Sequence, residues 1–250
     1  MMKKTGIALS GGGARGISHL GIIKAIMESG INIDMISGTS AGSIVGALFC
    51  EGYTPEEILD IIMSTKFFRF VRPVIKRGLL DIEKVGDIFR KYISVNDFAN
   101  LKIPLILAAT NLRAGKVEYF SKGDLIGPIL ASCCIPVIFR PYEYKGIAYV
   151  DGGISNNLPT EPLVKSCDRI IGSSCNAIDP DFESTSVRKI IERSLLLAVC
   201  GNTIESRRHC TMFIEPPQLS KISGFELNRG KEIFNIGYEY AIRKLENSGF

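Results

Sequence analysis

Apolar positions along this chain change period repeatedly. Short unbroken apolar runs, typical of strands buried on both faces, alternate with stretches where apolar residues recur every three or four positions, as in half-buried helices. The first run, residues 5–10 (TGIALS), ends in a cluster of glycines. Residues 15–29 then space Ile17, Leu20, Ile23 and Ile26 as a helix that stops at Gly30. A second strand is expected over 31–36, then the stretch 38–42 and a helix of small residues over 43–50. Pro55 opens a further helix (PEEILDIIMS), with Glu56 and Glu57 in its first turn where the helix dipole favours acids.

Beyond it, residues 82–92 have an amphipathic helical pattern, and 104–110 with 116–121 read as neighbouring strands. A helix is expected over 124–134, ending before Pro136. A strand over 147–150 runs into Asp151-Gly152-Gly153. Residues 169–173 read as the last core strand and 179–186 as a loop. Helices are expected over 187–207 and 230–247, with a short strand at 211–214 between them. This alternation predicts an α/β fold with a mostly parallel central sheet and helices on both faces. No repeat, low-complexity run or linker interrupts it, so one domain over 1–250 is expected. Its motif-bearing core is about 5–175 and its C-terminal helices about 187–250.

Composition narrows the function. The chain has 250 residues, 46% apolar and 22% charged, enough to bury a sizeable core. A net charge of +4, evenly spread and without any helix-turn-helix, zinc-finger or RNP-like pattern, argues against a nucleic-acid partner. Seven cysteines with no Cys-x-x-Cys pair, and only two histidines, His19 and His209, argue against a zinc cluster and a disulfide framework. No metal or cofactor is expected. The start MMKKTGIALSGGG lacks a secretory pattern, and the longest apolar runs, such as 103–109 and 195–200, are too short for a bilayer span. A cytoplasmic protein is the expectation, its oligomeric state left open.

Three motifs carry candidate chemistry. Gly38-Thr39-Ser40-Ala41-Gly42 has the Gly-x-Ser-x-Gly form and lies between an expected strand and an expected helix. Small flanking residues there permit a tight, strained turn that presents the Ser40 hydroxyl. Gly11-Gly12-Gly13-Ala14-Arg15-Gly16 also joins a strand to a helix, where backbone amides can face an anion. A nucleotide phosphate is one candidate, but Asp34 lies inside the second expected strand rather than at its end, and no Gly-Lys-Ser/Thr follows. A site for an oxyanion fits better. Arg15 either holds that loop or meets an anionic head group. Asp151-Gly152-Gly153 ends a strand, the place where functional groups of α/β sheets collect.

The histidines decide how the serine would be activated. His209 sits in a charged stretch (ESRRHC) without a loop signature, and His19 shares a helix face with Ile22, Ile23 and Ile26, as a packed or capping residue would. A Ser-His-Asp triad therefore finds no histidine, and a carboxylate must take the serine proton, with Asp151 best placed.

The strand followed by GGGARG, the helix beginning His-Leu-Gly, GTSAG and DGG together resemble the patatin-like phospholipase family, particularly its small bacterial members. ASCCIPVIFRPYEYKGIAYVDGGISNNLP, RGLLDIEKV and IEPPQL…GYEYA extend the likeness over nearly the whole chain. The resemblance implies a three-layer α/β/α sandwich, Ser40 as nucleophile, Asp151 as base, and backbone amides within Gly11–Gly16 as oxyanion donors, chiefly Gly12, Gly13 and Ala14. It implies a lipid or acyl-ester substrate without a cofactor. Cys133-Cys134 departs slightly from the family pattern and reads as small core residues.

Residues 66–77 (KFFRFVRPVIKR) hold five basic residues, three phenylalanines and no acid. They are either a peripheral membrane contact or a loop with inward phenylalanines. Two other functional classes stand beside the hydrolase: a non-catalytic lipid-binding or regulatory module on the same fold, and a nucleotide-binding protein.

Overall fold

β1 (Thr5–Leu9) is buried along its whole length at the centre of the computed structural model, which describes residues 3–65 and 82–248. Its alternate side chains supply two different cores: Ile7 and Leu9 point to one, Ala8 to the other. A short 3-10 turn, Gly13–Ile17, follows the glycines and leads into α1 (Ser18–Glu28).

β2 (Met35–Thr39) starts later than the sequence pattern suggested. Residues 31–34 are irregular because Asp34 turns its carboxylate to the Thr5 amide (2.7 Å) and takes a bond from Asn32. The strand instead continues through Gly38 and Thr39, and α2 (Ala41–Glu51) begins directly after Ser40. α3 (Pro55–Ser64) opens with a capping box between Thr54 and Glu57. α4 (Glu83–Tyr92), β3 (Leu105–Asn111) and β4 (Lys116–Phe120) follow closely where expected. α5 (Ile126–Ser132) is shorter than the predicted 124–134. Asp124 caps its start through Gly127, and Cys133 closes its end.

β5 (Tyr142–Tyr144) is only three residues long and has no apolar run to mark it in the sequence. It forms a hairpin with β6 (Ile147–Asp151) through Lys145 and Gly146, both at positive φ. β7 (Arg169–Ser173) is not the last strand of the sheet. After α6 (Val187–Arg207), β8 (Met212–Ile214) pairs with it in parallel, and α7 (Gly230–Glu246) closes the described chain.

The strand order is β5-β6-β3-β2-β1-β7-β8, with β4 paired to β3 off this path. The five strands from β3 to β8 are parallel, and β4, β5 and β6 add antiparallel pairings at the β3 side. The mixed, mostly parallel sheet is layered as an α/β/α sandwich. One face carries the main core, with apolar residues of α1 to α5 and α7 around Ile7, Leu9, Ile36 and Ile171. The opposite layer is thinner. It consists of residues 152–167 packed through Leu158 and Leu163, and of α6, whose Ser206 carbonyl takes the Thr160 hydroxyl.

Among the described residues no helix is long and apolar enough to cross a membrane. The basic, aromatic stretch 66–77 lies outside the described residues.

Candidate active site

The carboxyl ends of β1, β2, β6 and β7 bring the three sequence motifs to one cleft. Consecutive β3 residues Ala108 and Ala109 pair with Thr39 and Asp151, so the residue after Thr39 meets the end of β6. There Ser40 Oγ donates to Asp151 Oδ2 at 2.6 Å.

Ser40 has φ 52 and ψ −119, a conformation that non-glycine residues rarely adopt and that holds its side chain clear of strand and helix. The turn is tight: a Cβ on Gly38 would lie 2.5 Å from the Gly42 carbonyl oxygen. Backbone polar groups of Ser40 are fixed on both sides. Its amide donates to Ser132 Oγ (2.8 Å), and its carbonyl accepts from the Ser43 hydroxyl (2.6 Å) and the Cys133 thiol (3.4 Å).

Asp151 is buried, and its second oxygen accepts from the Gly153 amide at 2.8 Å. Burial pushes its carboxyl up to about 6, although the bonds from Ser40 and Gly153 act in the opposite direction. Its carboxylate is thus a stronger base than an exposed aspartate, yet ionised at neutral pH.

The glycine loop lies against this pair. A Cβ on Gly11 would sit 3.0 Å from Ser40 Cβ. Asn176, just past the end of β7, donates to the Gly11 carbonyl (2.6 Å), and Arg15 Nε reaches the Gly12 carbonyl (3.5 Å). With both carbonyls held from behind, the amides of Gly12 and Gly13 have no acceptor among the described residues and both residues line the cleft. Gly13 has φ 61, and a Cβ there would collide with the Gly224 carbonyl.

The grouping expected from the sequence changes in one respect. The Ala14 amide donates to Gly224 O at 2.7 Å, so it is already engaged and cannot serve as a free donor here. Gly16 abuts Ala41, Gly152 abuts the Ala108 carbonyl, and the Thr39 hydroxyl holds the Asn156 carbonyl: these are packing positions. Arg15 is buried at the cleft, holding Gly12 and Asn176.

Neither histidine reaches Ser40. His19 is wholly buried and bonded to the Ser10 carbonyl (2.9 Å) and Ser173 Oγ (2.7 Å). A carbonyl only accepts, so Nε2 carries the proton and Nδ1 accepts from Ser173. Burial lowers this histidine to about 4, against the Ser10 bond, and keeps it neutral. His209 bonds to Thr160 Oγ1. Among the described residues no group of histidine, cysteine and acidic side chains gathers in the number a metal needs.

Ser132, Asn157, Asn176 and Asn202 are the site residues that the sequence reading left unmarked. Asn202 of α6 accepts from the Asn157 amide (3.0 Å) and donates to the Gly153 carbonyl (2.8 Å), while the Asn157 carbonyl takes the Gly11 amide (3.3 Å). Asn176 had a readable signal, its place at the end of a parallel strand. The rest of the cleft, of about 320 Å3, is mostly apolar: Ile135, Val137, Ile154, Ile191, Leu195 and Val199 stand along it.

The family model described as Patatin-like phospholipase matches residues 7–164. An uncharacterized NTE family protein of Mycobacterium tuberculosis is 35% identical over 177 residues, 69% of this chain and 49% of that protein. Lysophospholipase NTE1 of Saccharomyces cerevisiae is 28% identical over 275 residues, 94% of this chain and 16% of that protein. The chain thus spans about half the length of the mycobacterial relative and less than a fifth of the yeast one. Among solved structures, VipD from Legionella pneumophila matches with a TM-score of 0.59 at 16% identity, covering 98% of this chain and 67% of that one. The type III effector ExoU gives 0.54 at 14% identity, covering 98% and 53%. These two likenesses bear on the fold.

Proposed function

The chain belongs to the patatin-like phospholipase family, and we propose that it hydrolyses fatty-acyl esters with Ser40 as nucleophile and Asp151 as its base. The observation that carries this reading is the 2.6 Å bond from Ser40 Oγ to a buried Asp151, at a strained elbow beside two unengaged amides.

In this mechanism Asp151 Oδ2 takes the Ser40 proton as Oγ attacks the ester carbonyl carbon. The carbonyl oxygen becomes an oxyanion and receives the Gly12 and Gly13 amides, which need no rearrangement at that moment. Collapse of this intermediate breaks the ester bond, and the departing alcohol takes the proton from Asp151. The acyl group stays on Ser40. A water, giving its proton to the same carboxylate, then releases the fatty acid and restores the hydroxyl. Esters suit the site better than amides, since an alkoxide leaves with less help from an acid.

The cleft supports a lipid substrate. Its volume of about 320 Å3 is at the lower end for ligand pockets, which favours one acyl chain over two, hence lysophospholipids or simple acyl esters over diacyl phospholipids. The matches to lysophospholipases point the same way. Nothing in the loop favours a nucleotide: Ser40 and Asp151, not a lysine, stand beside its free amides. Residues 1–250 form one catalytic unit in this reading, because α6 lies outside the matched segment 7–164 yet lines the cleft.

The test is hydrolysis by the purified chain across lysophospholipids, diacyl phospholipids and p-nitrophenyl esters of graded length. Ser40→Ala should lose at least about 10³-fold in turnover while keeping its circular dichroism. Full turnover by that variant would overturn the assignment.

A further inference from the structure

The glycine loop is held from its far side by a contact that lies outside the three motifs. Glu192, on the second turn of α6, lines the cleft and uses one carboxylate oxygen for two bonds. Oε1 accepts from Ser223 Oγ at 2.8 Å and from the Gly224 amide at 3.0 Å. Gly224 then presents its carbonyl to the Ala14 amide at 2.7 Å, in the space beside Gly13 that a side chain would fill. Each link is a hydrogen bond, so the position of Glu192 is passed through a single residue, Gly224, to the loop.

We infer that Glu192 is a positioning residue for ester hydrolysis: through Gly224 it fixes where the Gly12 and Gly13 amides point. This rests on the reading of those amides as oxyanion donors. The effect of such donors depends on their distance from the developing charge, and that distance is set by residues that never touch the substrate. The turn carrying Gly224 has bonds of its own. Glu226 Oε2 accepts from the Ser223 amide (3.0 Å), and Ser223 Oγ accepts from the Phe225 amide (3.3 Å). Loss of Glu192 therefore frees the turn to drift from α6 while leaving it formed. A carboxylate is not required for this task, only an acceptor at that point, so glutamine serves nearly as well.

Three readouts test it on the full chain. In Glu192→Ala, hydrogen exchange at the Ala14 amide should quicken by about 10-fold or more. For a medium-chain p-nitrophenyl ester, kcat should fall by about 10- to 30-fold, less than the 10²–10³ of deleting a donor outright, with KM within about two-fold. Labelling by a fluorophosphonate without a head group should slow in step with kcat. The pH midpoint of kcat/KM should stay where Asp151 puts it. Glu192→Gln should remain within about three-fold of the parent in all of these.

Ser223→Ala, which removes one of the two links together with the acceptor of the Phe225 amide, should show the same pattern at about three-fold, and it decides the matter if Glu192→Ala does not fold. Unchanged kcat with unchanged Ala14 exchange overturns the inference. So does a loss confined to KM, which would place Glu192 on the substrate, or a Gln variant as poor as the Ala variant. A parent protein that hydrolyses no acyl ester sinks the functional reading instead, and Ala14 exchange then decides on the Glu192 link alone.

Discussion

Replacing Asp151 with asparagine should make the protein inactive and, at alkaline pH, more stable. The side chain is out of water, and burial raises its carboxyl from 3.8 to about 6. The native state therefore holds the proton more tightly than the unfolded chain. Stability from this group is fully present below 3.8 and is lost as the pH rises through about 6. A difference of roughly two units amounts to roughly 3 kcal/mol by pH 8. Asparagine keeps the shape and removes the charge, so Asp151→Asn recovers that amount, less about 1–2 kcal/mol for the poorer partner it offers Ser40 Oγ and the Gly153 amide. Urea denaturation should find the variant about 1–2 kcal/mol more stable at pH 8. Linkage shrinks the advantage by about 2 kcal/mol on going to pH 4.5, so that it vanishes or changes sign there. Ester hydrolysis by the same variant should fall by about 10³-fold. In the parent protein kcat/KM should rise through a single step near pH 6 and stay level above it, since the proposed base is the ionised carboxylate. A variant whose stability difference does not change with pH would refute the reasoning, because Asp151 would then be no more basic than in the unfolded chain.

Other substitutions separate the proposed catalytic pair from its supports. His209→Gln should keep activity within about two-fold, measured on p-nitrophenyl esters, because its partner Thr160 is not part of the cleft lining. His19→Ala leaves Ser10 O and Ser173 Oγ buried without their partner and should cost about 2–4 kcal/mol in denaturant unfolding, with the pH midpoint of its remaining activity unchanged. Ser132→Ala strips the Ser40 amide of its acceptor, so a loss of about 1–3 kcal/mol should accompany a reduced kcat. Gly13→Ala must place a side chain at φ 61 against the Gly224 carbonyl, and thermal unfolding should report destabilisation of at least about 1 kcal/mol alongside slower turnover.

The motifs were legible because their chemistry needs small residues at fixed points of a strand-to-helix turn, and few other sequences put GGGARG, GTSAG and DGG in that order. The sheet was legible from its apolar runs, as β1, β3 and β7 are buried on both faces. Short edge strands were not: β5 is three residues of partly exposed Tyr-Glu-Tyr with no run to read. The start of β2 differs from the apolar pattern because Ile31 and Ile33 are apolar without being strand residues, while Asp34 caps β1. Engagement of the Ala14 amide by Gly224 joins residues 210 positions apart, and local pattern carries no trace of such a pairing. For the same reason Glu192 and Asn202 looked like ordinary polar positions on an amphipathic helix. The crowding at Gly13 is equally invisible in the sequence, because the Gly224 carbonyl that a side chain there would meet comes from far along the chain.

The central claim is that Ser40 is activated by Asp151, and one covalent measurement tests it most directly. The purified protein is treated with an alkyl fluorophosphonate at pH 8, its intact mass recorded, and the modified peptide sequenced by mass spectrometry. A single adduct on Ser40 is expected, forming at least about 10²-fold more slowly in Asp151→Asn and absent in Ser40→Ala. Labelling of another residue, or equal labelling of Ser40 in the parent and in Asp151→Asn, would contradict the account.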